Sequence, residues 1–178
     1  KPFKVIALML MGGFQPEQAF IVHSSVCFSL FVKAFVEHYQ DSRENRHDKK
    51  LADLVQNAAA SYRSLLDKSS DYTPLMTGPF IDEEAVIQSI CEAGRLTVEK
   101  HMVDSFFGNI SYRLGETIYI TQTTSTLDEL EGYIDPCPID DSTCAAITAS
   151  SEYTAHKGVL LQSECKAVLH GHPKFSVV

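Results

Sequence analysis

Apolar residues recur at helical spacing through much of the first half of this chain and give way to shorter strand-like runs in the second. A first apolar run, Val5-Ile6-Ala7-Leu8-Met9-Leu10-Met11, is closed by Gly12-Gly13, which predicts a buried strand ending in a turn. Pro16-Glu17-Gln18 then opens a predicted helix through Phe20, Val26, Phe31, Phe35 and Val36. A charged patch at residues 40–50 breaks it. Leu51, Leu54, Val55, Ala58, Ala59, Tyr62, Leu65 and Leu66 predict a second amphipathic helix. Residues 69–80, with Pro74, Gly78 and Pro79, read as a linker.

From Asp82 the pattern changes. Asp82-Glu83-Glu84 is an acidic first turn that complements the helix dipole, and Val86, Ile87, Ile90, Ala93, Leu96 and Thr97 continue it as an apolar stripe ending near His101. Residues 106–113 and 117–121 predict two strands joined at Leu114-Gly115-Glu116. Residues 126–130 suggest a short helix, and residues 135–141 a loop whose carboxylates are solvated. Residues 151–161 predict a helix capped by serine, and residues 165–172 a final strand. Helices mixed with short hairpin-joined strands predict a layered α/β or α+β sheet.

Composition narrows the function classes. The 178 residues suffice for one ordinary core, and a net charge of −8 argues against a nucleic-acid partner, whose phosphates need a basic surface. No apolar span reaches membrane-crossing length, so no membrane partner is expected. Five cysteines without a C-x-x-C pair predict reduced thiols and a cytoplasmic location.

The richest chemistry lies near the end, where Ser150-Ser151-Glu152 precedes His170-Gly171-His172. Residues two apart in a strand project to one side, so His170 and His172 can supply half of a tetrahedral zinc shell. Taken alone, the pair also reads as two polar residues at a strand end. Glu152 falls in the first turn of the predicted helix, where carboxylates occur for dipole reasons; beside a Lewis acid it could equally move protons. Gly108-Asn109 and Thr121-Gln122-Thr123-Thr124 offer N–H and O–H donors for an anion, and also read as ordinary turn residues. His156, one turn after Glu152, defaults to a structural or surface role.

In this order, Gly108-Asn109-Ile110-Ser111, Ile120-Thr121-Gln122-Thr123-Thr124, Ser150-Ser151-Glu152 with His156, and Val168-Leu169-His170-Gly171-His172 resemble the class II aldolase/adducin family, the zinc-dependent fuculose-phosphate aldolase group. The resemblance implies a layered αβα sandwich around a mainly antiparallel sheet over residues 81–178, preceded by a helical extension of unknown role over residues 1–80. It implies Zn2+ or another divalent metal on His170 and His172, Glu152 as catalytic acid/base, and Asn109, Thr123, Ser150 and Ser151 on the substrate phosphate. The implied activity is that of a lyase of carbohydrate metabolism, cleaving or forming a C–C bond in a small hydroxylated, phosphorylated carbonyl compound through a metal-stabilised enediolate. A homotetramer is the implied assembly. Dehydration or epimerisation, or a non-catalytic adducin-like interaction module, are the alternatives; glutamate at position 152, where the epimerases carry aspartate, favours cleavage or dehydration. Two departures stand out. Thr123-Thr124 replaces the family's Thr-Gly pair, and no residue up to Val178 can serve as the third zinc histidine that the resemblance places downstream. That domain would therefore be incomplete at its C-terminus.

Overall fold

The structure, a computed structural model, describes residues 16–68, 74–103 and 107–172. The strand expected at residues 5–11 lies outside the described residues. By contacts the chain divides into two units, Lys1–Arg63 with Lys174–Val178, and Ser64–Pro173.

Two helices, α1 (Pro16–Arg43) and α2 (Lys49–Lys68), fill the described part of the N-terminal region. The helix α1 runs four residues into the charged patch expected to break it. Arg46 pairs there with Asp41 and Glu44, and the chain turns where Asn45 takes φ 53. Along α1 the Phe31 and Phe35 rings stack at one-turn spacing, 4.6 Å apart.

The second unit is layered. Helix α3 (Glu83–Glu99) has Glu83 and Glu84 in its first turn as expected, and Asp82 caps it, its carboxylate accepting the Ala85 N–H at 2.8 Å. It ends where the N–H groups of Lys100 and His101 close on the carbonyls of Leu96 and Val98. Strands β1 (Gly108–Leu114), β2 (Thr117–Thr121), β3 (Ile134–Pro138) and β4 (Ala167–Gly171) form one antiparallel sheet in the order β3-β2-β1-β4. Helix α4 (Tyr153–Gln162) connects to β4. One sheet face presents Ile110, Tyr112 and Tyr119 to Val86 and Ile90 of α3 and to Leu127 and Leu130. The other sets Ile118, Ile120 and Cys137 under Tyr153 and Leu160 of α4. These are the two helical layers and central antiparallel sheet of the expected sandwich.

Three local expectations change. Residues 126–130 form a turn, closed by Glu129 N–H to the Thr126 carbonyl at 3.1 Å, rather than a helix. Their apolar residues are there because Leu127 and Leu130 plug the core at 0% and 1% exposure. The loop expected at residues 135–141 begins instead as the edge strand β3 (Ile134–Pro138); Pro136 and Pro138 are tolerated because an edge strand donates no ladder bond on its open side. Finally, α4 begins two residues later than expected, with Glu152 itself at the N-cap position.

Candidate functional site

Backbone geometry first brings β1 and β4 together at the site. Gly108 has φ 151, and a Cβ there would stand 2.6 Å from the His170 carbonyl oxygen, so only glycine allows this approach. The register then sets Asn109 directly opposite His170. On the far side of the site, the end of β2 is stitched to the segment leading into α4. Thr123 donates its N–H to the Thr148 carbonyl at 2.9 Å and its hydroxyl to the Ala149 carbonyl at 2.8 Å, and Ser150 N–H donates to the Thr121 carbonyl at 2.9 Å.

All seven residues singled out in the sequence, Asn109, Thr123, Ser150, Ser151, Glu152, His170 and His172, line one cavity of about 180 Å³. Its other walls include Phe107, Gln122, Thr124 and Ser125.

Glu152 is one of its walls. The Asn109 Nδ2–H donates to Glu152 Oε2 at 3.0 Å, and the same oxygen makes ion-pair contact with His170 Nδ1. An N-cap carboxylate ordinarily turns onto the free N–H groups of the first helical turn. Glu152 makes no such bond; the Glu152 N–H instead donates to Ser150 Oγ at 3.3 Å. Its carboxyl is held below the ordinary glutamate range, first by the Asn109 hydrogen bond; burial opposes this, and the nearby His170 and His156 charges reinforce it. Ionised, it is a proton acceptor at neutral pH.

Beside it, the His170 and His172 rings lie 4.8 Å apart, His170 in β4 and His172 just past its end. Two imidazoles suit zinc and related divalent ions, and the buried His170 Nδ1 faces the Glu152 carboxylate, an acidic partner of the kind that orients a metal-binding imidazole. The pair therefore fits half a metal shell. Among the described residues no group of three or more His, Cys, Asp or Glu is arranged to complete it.

Thr124 takes φ 66, the left-handed region that favours glycine. A β-branched residue there carries strain of about 1–2 kcal/mol. The loop thus keeps a glycine-like backbone although threonine stands where the resemblance expects glycine.

The sequence reading missed several supporting residues. Asp135, expected in a solvated loop, is 9% exposed and accepts from Gln122 Nε2 and Thr148 Oγ1, each at 2.7 Å. Those bonds brace the Gln122–Ser125 wall of the cavity. Ser111, quoted in a motif but given no role, is fully buried, with its Oγ 2.7 Å from His156 Nδ1. The available signal was spacing: Ser111 follows Asn109 by one strand repeat, and His156 follows Glu152 by one helical turn.

The family model described as Class II Aldolase and Adducin N-terminal domain matches residues 88–178, just over half of the chain. No curated protein matches it. Among solved structures, YgbL from Klebsiella pneumoniae, provisionally described as an aldolase/epimerase/decarboxylase, shares 23% identity with a TM-score of 0.48 over 53% of this chain and 47% of its own. L-fuculose-1-phosphate aldolase from Thermus thermophilus shares 19% identity with a TM-score of 0.46, over 51% of this chain and 46% of its own. The chain spans about half the length of each.

Proposed function

The chain belongs to the class II aldolase and adducin family, and from that premise we propose that it is a metal-dependent lyase acting on a small hydroxylated, phosphorylated carbonyl compound. The observation that carries this reading is the Glu152 carboxylate, kept ionised between Asn109 and His170 inside the one cavity that all the candidate residues share.

Both contacts of Glu152 fall on Oε2, so Oε1 is the oxygen left to take and return a proton. In C–C cleavage it would accept the proton of the substrate hydroxyl. The bond between the carbinol carbon and the carbon beside the carbonyl then breaks, its electrons pass toward the carbonyl, and the proton returns to carbon. His170 and His172 would hold the metal, whose contribution when bound is Lewis-acid polarisation of a carbonyl oxygen. Asn109 keeps the carboxylate ionised and aimed. Ser150 and Ser151, just before α4, and Thr123, in the turn after β2, would take the substrate phosphate, where helix N–H groups and hydroxyls favour an anion. The α3 and β-sheet scaffold has no part in the chemistry beyond holding these groups.

Two measurements on the purified protein test this. Elemental mass spectrometry should find about one divalent metal per chain, with uptake when zinc is supplied. Turnover of sugar phosphates should fall by about 10²–10⁴-fold in Glu152→Gln while metal content is retained. Metal-free protein that takes up no zinc, with no turnover of any sugar phosphate, would leave the interaction-module reading instead.

A further inference from the structure

The strand β1 and the helix α4 are joined by a ladder of three polar rungs. Asn109, Ser111 and Arg113 share one face of β1, and positions 152, 156 and 160 share one face of α4. Asn109 Nδ2 donates to Glu152 Oε2 at 3.0 Å, Ser111 Oγ meets His156 Nδ1 at 2.7 Å, and Arg113 Nη1 donates to the Leu160 carbonyl at 3.3 Å. The spacing explains the match. Two strand residues advance about 6.6 Å and four helical residues about 6.0 Å, so each step on one element meets a step on the other.

The middle rung is the most deeply buried, with Ser111 at 0% exposure and His156 at 3%. His156 Nε2 has no partner among the described residues. Stability alone gives little reason for such a pair, because apolar side chains of the same shape can replace two buried polar partners at nearly no cost. The consequence of the pair lies one rung away. Glu152 sits at an N-cap position without capping the helix, its carboxylate diverted to Asn109 and His170.

We propose that Ser111 and His156 are positioning residues, which fix the register of α4 on β1 and so hold the Glu152 carboxylate on Asn109 beside His170. Neither residue lines the cavity, and both act through the rung next to theirs. The functional meaning of this device rests on the reading of Glu152 as the proton carrier; its geometry does not.

The test reads the first rung directly. In the 15N-labelled protein, the Asn109 carboxamide, assigned by its loss in Asn109→Asp, should exchange slowly with solvent. In Ser111→Ala and in His156→Ala that exchange should quicken by about tenfold or more, the change produced by losing a hydrogen bond to a charged group. Backbone amides of Ile118 and Ile120 should keep their protection. His156→Asn, whose carboxamide can replace the ring Nδ1 opposite Ser111, should restore slow exchange. An Asn109 carboxamide unchanged in the folded alanine variants overturns the proposal. So does a loss that tracks Ile118 and Ile120, since that would be general loosening. Should Ser111→Ala not fold, Ser111→Cys, similar in volume and weaker as a donor, is read the same way. The measurement needs neither substrate nor metal. A protein that keeps the Asn109–Glu152 contact yet takes up no zinc and turns over nothing loses the lyase reading and keeps this one.

Discussion

The two faces of the central sheet are built on different terms. Toward α3, Ile110, Tyr112 and Tyr119 meet Val86, Ile90, Leu127 and Leu130 in a continuous apolar layer. Toward α4 the face is divided. Its β2–β3 half sets Ile118, Ile120 and Cys137 under Tyr153 and Leu160, with Asp135 at its end held by Gln122 and Thr148. Its β1–β4 half carries Asn109, Ser111, Arg113 and His170, with Val168 as its apolar contact to α4. Apolar burial contributes in proportion to area wherever it occurs, while a buried polar group is tolerated only where a partner meets it. The difference teaches that burial of apolar area holds most of α4 to the sheet, while the polar groups of the β1–β4 half set where it sits.

The sharpest break of this comparison is a cavity on the α3 side. Ile90 is 2% exposed in the middle of the apolar stripe of α3. Ile90→Ala should cost about 2–5 kcal/mol in denaturant unfolding, the range for deleting a buried branched side chain. Ser111→Ala, which removes one oxygen on the opposite face, should cost clearly less. If the two losses were equal, the polar rungs would contribute as much to stability as the apolar layer does.

Gly94 gives a smaller effect and an inverted sign. In an exposed helix, alanine is better than glycine by about 1 kcal/mol. Here a Cβ on Gly94 would stand 2.2 Å from the Leu127 carbonyl oxygen and 2.8 Å from Leu130 Cδ1. Gly94→Ala should therefore lower stability by about 1–3 kcal/mol, the cost of overpacking. A thermal midpoint at or above that of the parent protein would show that the 127–130 turn yields, and that the α3 face is less tightly packed than these distances imply.

This contrast also explains what could be read in advance. The α3 stripe, its acidic first turn and the β1–β2 hairpin follow from periodicity, the helix dipole and turn chemistry, and all three stand in the structure. The turn at Leu127 and Leu130 imitated a helix because two core plugs three residues apart share the helical period. Strand β3 was hidden by Pro136 and Pro138, which deny a central strand and permit an edge one. The candidate site residues were legible as an ordered set of motifs, and the fold brings them to one cavity. Less legible was what supports them. Asp135 looked solvated because its partners, Gln122 and Thr148, are each 13 residues away in the chain. Ser111 and His156 are 45 residues apart, and no local pattern announces their pairing.

The smallest expected effect concerns that pair and pH. Burial holds the His156 imidazole below its ordinary value of 6.5; the His170 charge adds to this and Glu152 opposes it. The native protein therefore keeps His156 neutral in a range where the unfolded chain has already bound a proton there. In that window, from the lowered native value up to 6.5, the unfolded state holds more protons and stability must rise with pH. Above 6.5 both states are neutral and the contribution vanishes. Denaturant unfolding at about pH 7.5 and about pH 5 should show the parent protein losing more stability on acidification than His156→Asn, by at most about 1.4 kcal/mol for each pH unit inside the window. The other titrating groups are common to both proteins, so the difference isolates this one ring. Parallel losses would mean that His156 takes up its proton in the folded state as readily as in the unfolded chain. A charged imidazolium beside Ser111 has no place in the polar half of the α4 face described above, and the contrast between the two faces would have to be redrawn.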